Sequence, residues 1–349
     1  MSKIDILKRA GRTVLAAGLA FGFPQTHVAF GQSIDVPSHK WGLSVGNSKD
    51  FTGLRFNFRD SRVRRITGVN VTLWQPRKDN KDSVVKGLSL GLMPGGGTMT
   101  GVQLGLLGAG ADKNMTGLNI GLIGGGAGED ITGINVGGLG MGAGENMTGL
   151  NIGGAGVGAG ENLAGITIGG LGAGAGKNVT GLCIGGLGAG AGDNFKGIAV
   201  GGLGVGAGKN MTGLVFGGLG AGAGEKLSGL ALGGLGVGAG ELIRGVVIGG
   251  LGAGAPEIRG VALGGIGVGG KSLKGAFVAG AMVRVEKSGR LSGFAASPFN
   301  HIRGTLNGLA VGIVNYAWSV ERGVQIGVVN IIRDNPKGLR ILPVFNTAF

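Results

Sequence analysis

The 349-residue chain holds one cysteine, one tyrosine, three tryptophans and three histidines. A lone Cys183 has no intramolecular partner, so no disulfide framework can hold the fold together. No stretch runs for the roughly 20 residues of a membrane-spanning helix without glycine or polar interruption. Aromatic residues make up 5% of the chain, too few for the girdles of an outer-membrane barrel or for stacking the bases of a nucleic acid. Catalytic raw material is equally thin. His39 and His301 lie far apart, and no Cys-His, Ser-His-Asp or clustered-carboxylate arrangement accompanies them. The reading is that the chain is not an enzyme, with no catalytic, cofactor-binding or metal-binding residue and no cofactor.

What the chain has in abundance is glycine, 86 residues of it, arranged periodically. A glycine opens each copy at Gly101, Gly117, Gly133, Gly149, Gly165, Gly181, Gly197, Gly213, Gly229 and Gly245, always 16 apart. Copies of 15 follow from Gly260 and Gly275. A short fixed period is the signature of a solenoid. Thr132-Gly133-Ile134-Asn135-Val136-Gly137-Gly138-Leu139-Gly140-Met141-Gly142-Ala143-Gly144-Glu145-Asn146-Met147 serves as the type copy.

Ile134 and Val136 have the two-residue period of a strand, as do Leu139, Met141 and Ala143. A bend at Gly137-Gly138 is expected to point both sets inward, together with Met147. Asn135, Gly140 and Gly142 then face out, and Glu145-Asn146 forms a polar corner. The expected fold is all-β, a glycine-rich β-solenoid of 15–16-residue coils with two short strands each. One coil cannot offset the ordering of its own glycines, so coils must stack and the array needs caps. The competing architecture is a transmembrane β-barrel, suggested by regular strand-length segments and a terminal Phe349. Uniformly short turns and the missing aromatic girdle speak against it.

Residues 1–31 read as a signal peptide: Lys3, Lys8, Arg9 and Arg12 precede an apolar run, and Ala29-Phe30-Gly31 suits cleavage before Gln32. Residues 32–100 form irregular N-terminal coils with a charged loop over residues 74–82. Residues 101–275 are the regular array, and residues 276–349 the C-terminal coils and cap, where larger residues return to cover the last edge. The expected location is exported, in the periplasm, outer membrane or cell surface.

Repeated G-x-G-x-x-G patterns fall out of the repeat and open no helix, so they do not indicate a nucleotide site. The G-G-x-G-x-G runs lack the aspartate of a calcium-binding β-roll. The corner column Glu129, Glu145, Glu161, Lys177, Asp193, Lys209, Glu225 and Glu241 alternates in sign from Glu161 to Glu225, as exposed ion pairs would. The column Asn119, Asn135, Asn151, Thr167, Cys183, Ala199, Val215, Ala231, Val247 and Ala262, placed outward, drifts from polar to apolar. Such drift argues against a lattice-matching surface.

Charge is unevenly distributed. Residues 32–100 carry 11 basic and 5 acidic groups, residues 101–270 carry 7 and 9, and residues 271–349 carry 10 and 3. Basic ends on a neutral rod suit an anionic envelope polysaccharide, lipopolysaccharide or membrane surface. Solvated faces that keep the rod soluble account for the same charges. The candidate anionic-partner contact is Arg62, Arg64, Arg65, Arg77 and Lys78. Nucleic acid is not expected; homo-association through the flat glycine columns is a further option.

The G-V-Q-I-G-V-V-N run at residues 323–330, the D-N-P-K-G-L-R-I-L-P-V-F-N run at residues 334–346, F-N-H-I-R-G at residues 299–304 and the GLGxGAG coils resemble a known group. They are similar to the uncharacterised surface-repeat proteins of diderm (Gram-negative) bacteria. The resemblance implies an exported repeat protein of the envelope or surface. It carries over no activity, cofactor or catalytic residue.

Overall fold

The computed structural model describes residues 33–349; the expected signal peptide lies outside the described residues. The fold is an all-β solenoid. The type coil has a long strand, Ile131–Gly137, and a short strand, Gly140–Ala143, separated by two corners. Each strand pairs in parallel with its equivalent one coil away: Asn135 faces Asn151, and Gly140 faces Gly156. Even the corners stack. Gly138 N–H donates to Gly121 C=O at 3.1 Å, and Glu145 N–H to Glu129 C=O at 2.9 Å. The backbone groups of each turn are thus satisfied by the neighbouring coil.

The barrel alternative is overturned by this pairing. A transmembrane barrel closes antiparallel neighbours into a ring, whereas here parallel ladders run along an open stack. Antiparallel strands occur at its two ends. Ile34–Pro37 pairs with Trp41–Val45, and Ile341–Thr347 pairs with Val314–Ile332. Both cover the ladder edge that the first or last coil would otherwise expose.

The inside and outside of the long strand are the reverse of the sequence expectation. Asn135 is fully buried, while Ile134 is 47% and Leu139 63% exposed. Val136 also lies on the outer side, half-buried. Met141, Ala143 and Met147 do point inward as expected. The physical reason is continuity of the pleat. Ile131 is an inward anchor, and the two-residue period carries Gly133, Asn135 and Gly137 to the same side. Placing Met147 and Leu150 on one side requires a parity change at Thr148-Gly149, and none occurs.

Burying an amide is tolerated because identical amides meet their own kind. Asn119 Nδ2 donates to Asn135 Oδ1 at 2.6 Å, and Asn135 Nδ2 to Asn151 Oδ1 at 2.7 Å. Asn151 Nδ2 closes the run on Thr167 Oγ1 at 3.4 Å. In-register stacking holds such ladders at the coil repeat. Beyond Thr167 the same column becomes apolar, through Cys183, Ala199, Val215, Ala231, Val247 and Ala262. Its drift from polar to apolar is therefore a change of core composition. Cys183 itself is buried, contrary to the outward placement expected for it.

The N-terminal coils carry a charged version of this core. Arg55 Nη1 donates to Asp60 Oδ1 at 2.6 Å and to Asn70 Oδ1 at 2.7 Å. Asp60 also accepts from Asn57 and Thr72. The charged loop after the Arg65–Trp74 strand is mostly exposed but pinned. Val63 N–H donates to Asn80 Oδ1, and Asn80 Nδ2 to Asp60 C=O. At the other end a second amide ladder, Asn300 to Asn315 to Asn330, runs beneath the short strands at 2.7 and 2.8 Å.

Candidate docking faces

Because the pleat turns the aliphatic positions outward, the long strands build a continuous apolar face. One column runs in register from Leu43 and Leu54 through Ile134 and Leu214 to Leu309 and Val324. A second runs from Val45 and Phe56 through Val136 and Phe216 to Val311 and Ile326. Every position in both is apolar. A third apolar column lines the adjoining corner, where Leu139, Leu171, Leu187, Leu203, Leu219, Leu235 and Leu251 are each at least 49% exposed.

On the other side of the Ile134 column stands the Thr132 column. It is mostly threonine in the first half of the stack. It then carries Lys196, Arg244, Arg259, Lys274 and Arg322. The three outward columns through Thr132, Ile134 and Val136 contain no aspartate or glutamate. The next outward position of the long strands does, at Asp50 and Glu257, and Glu321 lies on the last long strand beside Arg322. Coils about 4.8 Å apart and outward residues about 7 Å apart make the face on the order of 1,000 Å². That exceeds the few hundred Å² of an ordinary monomer's apolar patches.

Acidic groups gather at the opposite corner. Lys177 Nζ meets Glu161 Oε1 at 2.6 Å, and Lys209 Nζ meets Asp193 Oδ1 at 2.9 Å, the exposed pairs that the alternating column predicts. Glu257 takes Arg259 at 2.7 Å and Lys274 at 3.8 Å. Its carboxyl is held below the usual range by the Arg259 hydrogen bond. Lys196, Arg244 and Arg322 have no ion pair among the described residues.

The short strands present the flat glycine columns expected, Gly140 and Gly142 with their equivalents. These columns fill toward the C-terminus, where Gly267 and Gly269 give way to Met282 and Arg284, then Phe299 and His301. The His301 ring stacks on Phe299 at 5.1 Å and meets the edge of Tyr316 at 5.2 Å. Burial, and then Arg303 and Arg284, push the His301 imidazole below its usual range.

The five predicted basic contacts occupy two neighbouring segments. Arg62, Arg64 and Arg65 surround the corner before Ile66, and Arg77 and Lys78 sit on the pinned loop. All five are exposed. Arg62 lies 3.8 Å from Asp79, and Arg64 pairs with Asp50, so part of this charge is answered within the chain. Arg77 and Lys78 border an open depression of about 460 Å³ with Pro94 and Leu107. Another, of about 530 Å³, lies at the acidic corner among Glu241, Glu257, Lys271 and Arg290. Among the described residues, no three His, Cys, Asp or Glu side chains converge as a metal site.

The apolar face is the feature that sequence reasoning assigned to the core. Its signal was present in Ile131 and Met147, whose inward anchoring fixes which alternate residues face out. Comparison of the chain with protein-family models, curated proteins and solved structures gave no match.

Proposed function

We propose that the protein is a non-enzymatic structural or binding rod of the bacterial envelope or surface, exported and presenting a repetitive surface with basic ends. What supports this reading is the uniformity of the stack. Each coil repeats the same outward positions, so the molecule offers long faces in place of a substrate cleft. The basic surplus at the two ends favours anionic partners such as envelope polysaccharide or lipopolysaccharide. The likeness of the GLGxGAG coils and the 323–346 segment to surface-repeat proteins of diderm bacteria points the same way.

The test is fractionation of cells producing the full chain, followed by binding of the purified protein to isolated envelope material. The chain is expected in the envelope fraction, held by contacts that high salt weakens. Joint replacement of Arg62, Arg64, Arg65, Arg77 and Lys78 by glutamine should reduce attachment to the envelope polysaccharide. A cytoplasmic location, or polysaccharide binding indifferent to both salt and these replacements, would reject the reading.

A further inference from the structure

We infer that the long-strand face is a lipid-docking surface, by which the rod lies flat on a bilayer containing anionic headgroups. The inference rests on the envelope reading for where such a bilayer is met. Its physical basis is independent of that reading.

Three observations carry it. The first is extent: two outward columns remain apolar through every registered long strand from Trp41–Val45 to Val314–Ile332, with a leucine-rich column at the adjoining corner. Solvent-facing strand positions in a soluble solenoid need no such rule, and alternating polar residues there would guard against association. The second is the border. Lys196, Arg244 and Arg322 stand in the outward column two residues from the apolar ladder, without ion pairs among the described residues. Long basic side chains in that position can lay their stems on the apolar surface and bring their charges to headgroup level. The third is segregation of acid. The Thr132, Ile134 and Val136 columns hold no carboxylate, and the carboxylates of the long strands, Asp50, Glu257 and Glu321, lie beyond the basic border on the side away from the leucine corner.

Charge also decides between a bilayer and a second copy of the chain. Two copies meeting through this face would each offer the other an apolar ladder bordered by lysine and arginine. The carboxylates nearest that border, Glu257 and Glu321, are already taken up by Arg259, Lys274 and Arg290 of their own chain. Anionic headgroups supply the missing counter-charge, and a fluid acyl layer accommodates a long ridge without demanding a matched partner shape. The arrangement is that of an interfacial amphipathic helix, rendered in stacked strands.

The experiment is flotation of the full chain with vesicles of phosphatidylcholine alone and of phosphatidylcholine mixed with phosphatidylglycerol, alongside sedimentation without lipid. The wild type should float with the mixed vesicles and sediment as a monomer alone. Replacing Ile134, Ile166, Ile198 and Leu214 by glutamine should abolish flotation while the circular-dichroism spectrum and thermal midpoint stay near wild type. These side chains point outward and are 40–47% exposed. The K196Q/R244Q/R322Q protein should bind the mixed vesicles on the order of a hundredfold more weakly, with each cation contributing about fivefold. Its binding to phosphatidylcholine alone should not change.

A wild type that stays at the bottom of the gradient overturns the inference, as does a quadruple variant that floats like wild type. A lipid-indifferent dimer that the quadruple variant dissociates assigns the face to a second copy instead. Vesicle binding by a chain that fractionates in the cytoplasm would defeat the envelope reading and leave the lipid face standing. Envelope attachment without vesicle binding would do the reverse.

Discussion

Asn135 donates its side-chain amide to the carboxamide oxygen of Asn151 at 2.7 Å, and both residues are wholly buried between stacked coils. Asn135 simultaneously accepts from Asn119. Asparagine suits this slot because it is donor and acceptor at once, as a ladder that passes through it requires. Asn135→Asp would remove the donor, set two acceptors against each other and bury a charge. It should destabilise the protein by about 3–5 kcal/mol. Val136→Asp, one residue along but on the outer side, should cost no more than about 1 kcal/mol. Urea melts of the two variants check the order, and Val136→Asp proving the more damaging would put the amide column outside.

How much of this was legible before the structure can be read from those two neighbours. The period, the coil with two strands, the caps and the alternating ion pairs all follow from regularities a single chain displays. Which face of the long strand is inside does not follow from alternation, because Ile134 and Asn135 recur with equal regularity. Burial of apolar surface ordinarily breaks the tie in favour of isoleucine. Here a narrow interior accepts amides that pair coil to coil, and the aliphatic columns are left outside. The Ile131 and Met147 anchors held the information, but using it required the strand to run unbroken through Gly133 and Gly149. The basic border went unread for the same cause. Lys196, Arg244 and Arg322 each directly precede a coil's opening glycine, but they border an apolar face only once the Ile134 column is known to point out. Arg62, Arg64, Arg65, Arg77 and Lys78 were visible as a charge-rich stretch, whereas their partial pairing with Asp50 and Asp79 depends on contacts across coils.

Arg55 and Asp60 test the charged end of the core. The Arg55 guanidinium is fully buried, and Asp60 is its counter-ion at 2.6 Å. Asp60→Ala leaves that cation without its carboxylate and should cost about 3–5 kcal/mol. Arg55→Met combined with Asp60→Asn removes both charges and should be distinctly milder than Asp60→Ala alone. Guanidinium-chloride unfolding of the single and double variants measures the difference. An equal loss in both would mean that packing, and not charge pairing, governs this site.

Cys183 is expected to be chemically silent in the folded protein. It sits in the core column between Thr167 and Ala199, with its thiol directed toward the Ala173 carbonyl at 3.7 Å. Burial pushes its pKa up to about 11. At neutral pH the reactive thiolate is therefore suppressed as well as shielded. A thiol-specific reagent should label the native protein at the rate of global opening and label the urea-unfolded chain at once. Prompt labelling of native protein would place Cys183 on the surface. Cys183→Ala should leave the fold intact, since Ala199 fills the equivalent slot one coil away.

Glycine is needed in this fold for two different reasons, and Gly213 and Gly206 separate them. Gly213 lies inside the long strand Asn210–Gly217 at φ +127°, and a Cβ there would lie 1.9 Å from the Gly197 carbonyl oxygen of the coil beneath. Alanine is strained in that backbone region, and the clash is with main chain that cannot move without unstacking two coils. Gly213→Ala should therefore cost at least about 2–3 kcal/mol. Gly206 lies outward on a short strand, and its added Cβ would meet nothing within 4 Å. Gly206→Ala should be neutral or stabilising by up to about 1 kcal/mol, because it restricts the unfolded chain without disturbing the folded one. Thermal melts followed by far-ultraviolet circular dichroism distinguish the two. If both alanines are tolerated, the stacked backbones are less closely packed at the opening glycine than a distance of 1.9 Å allows. If both are damaging, the glycine face itself is in contact with something, most simply another rod packed against its flat side.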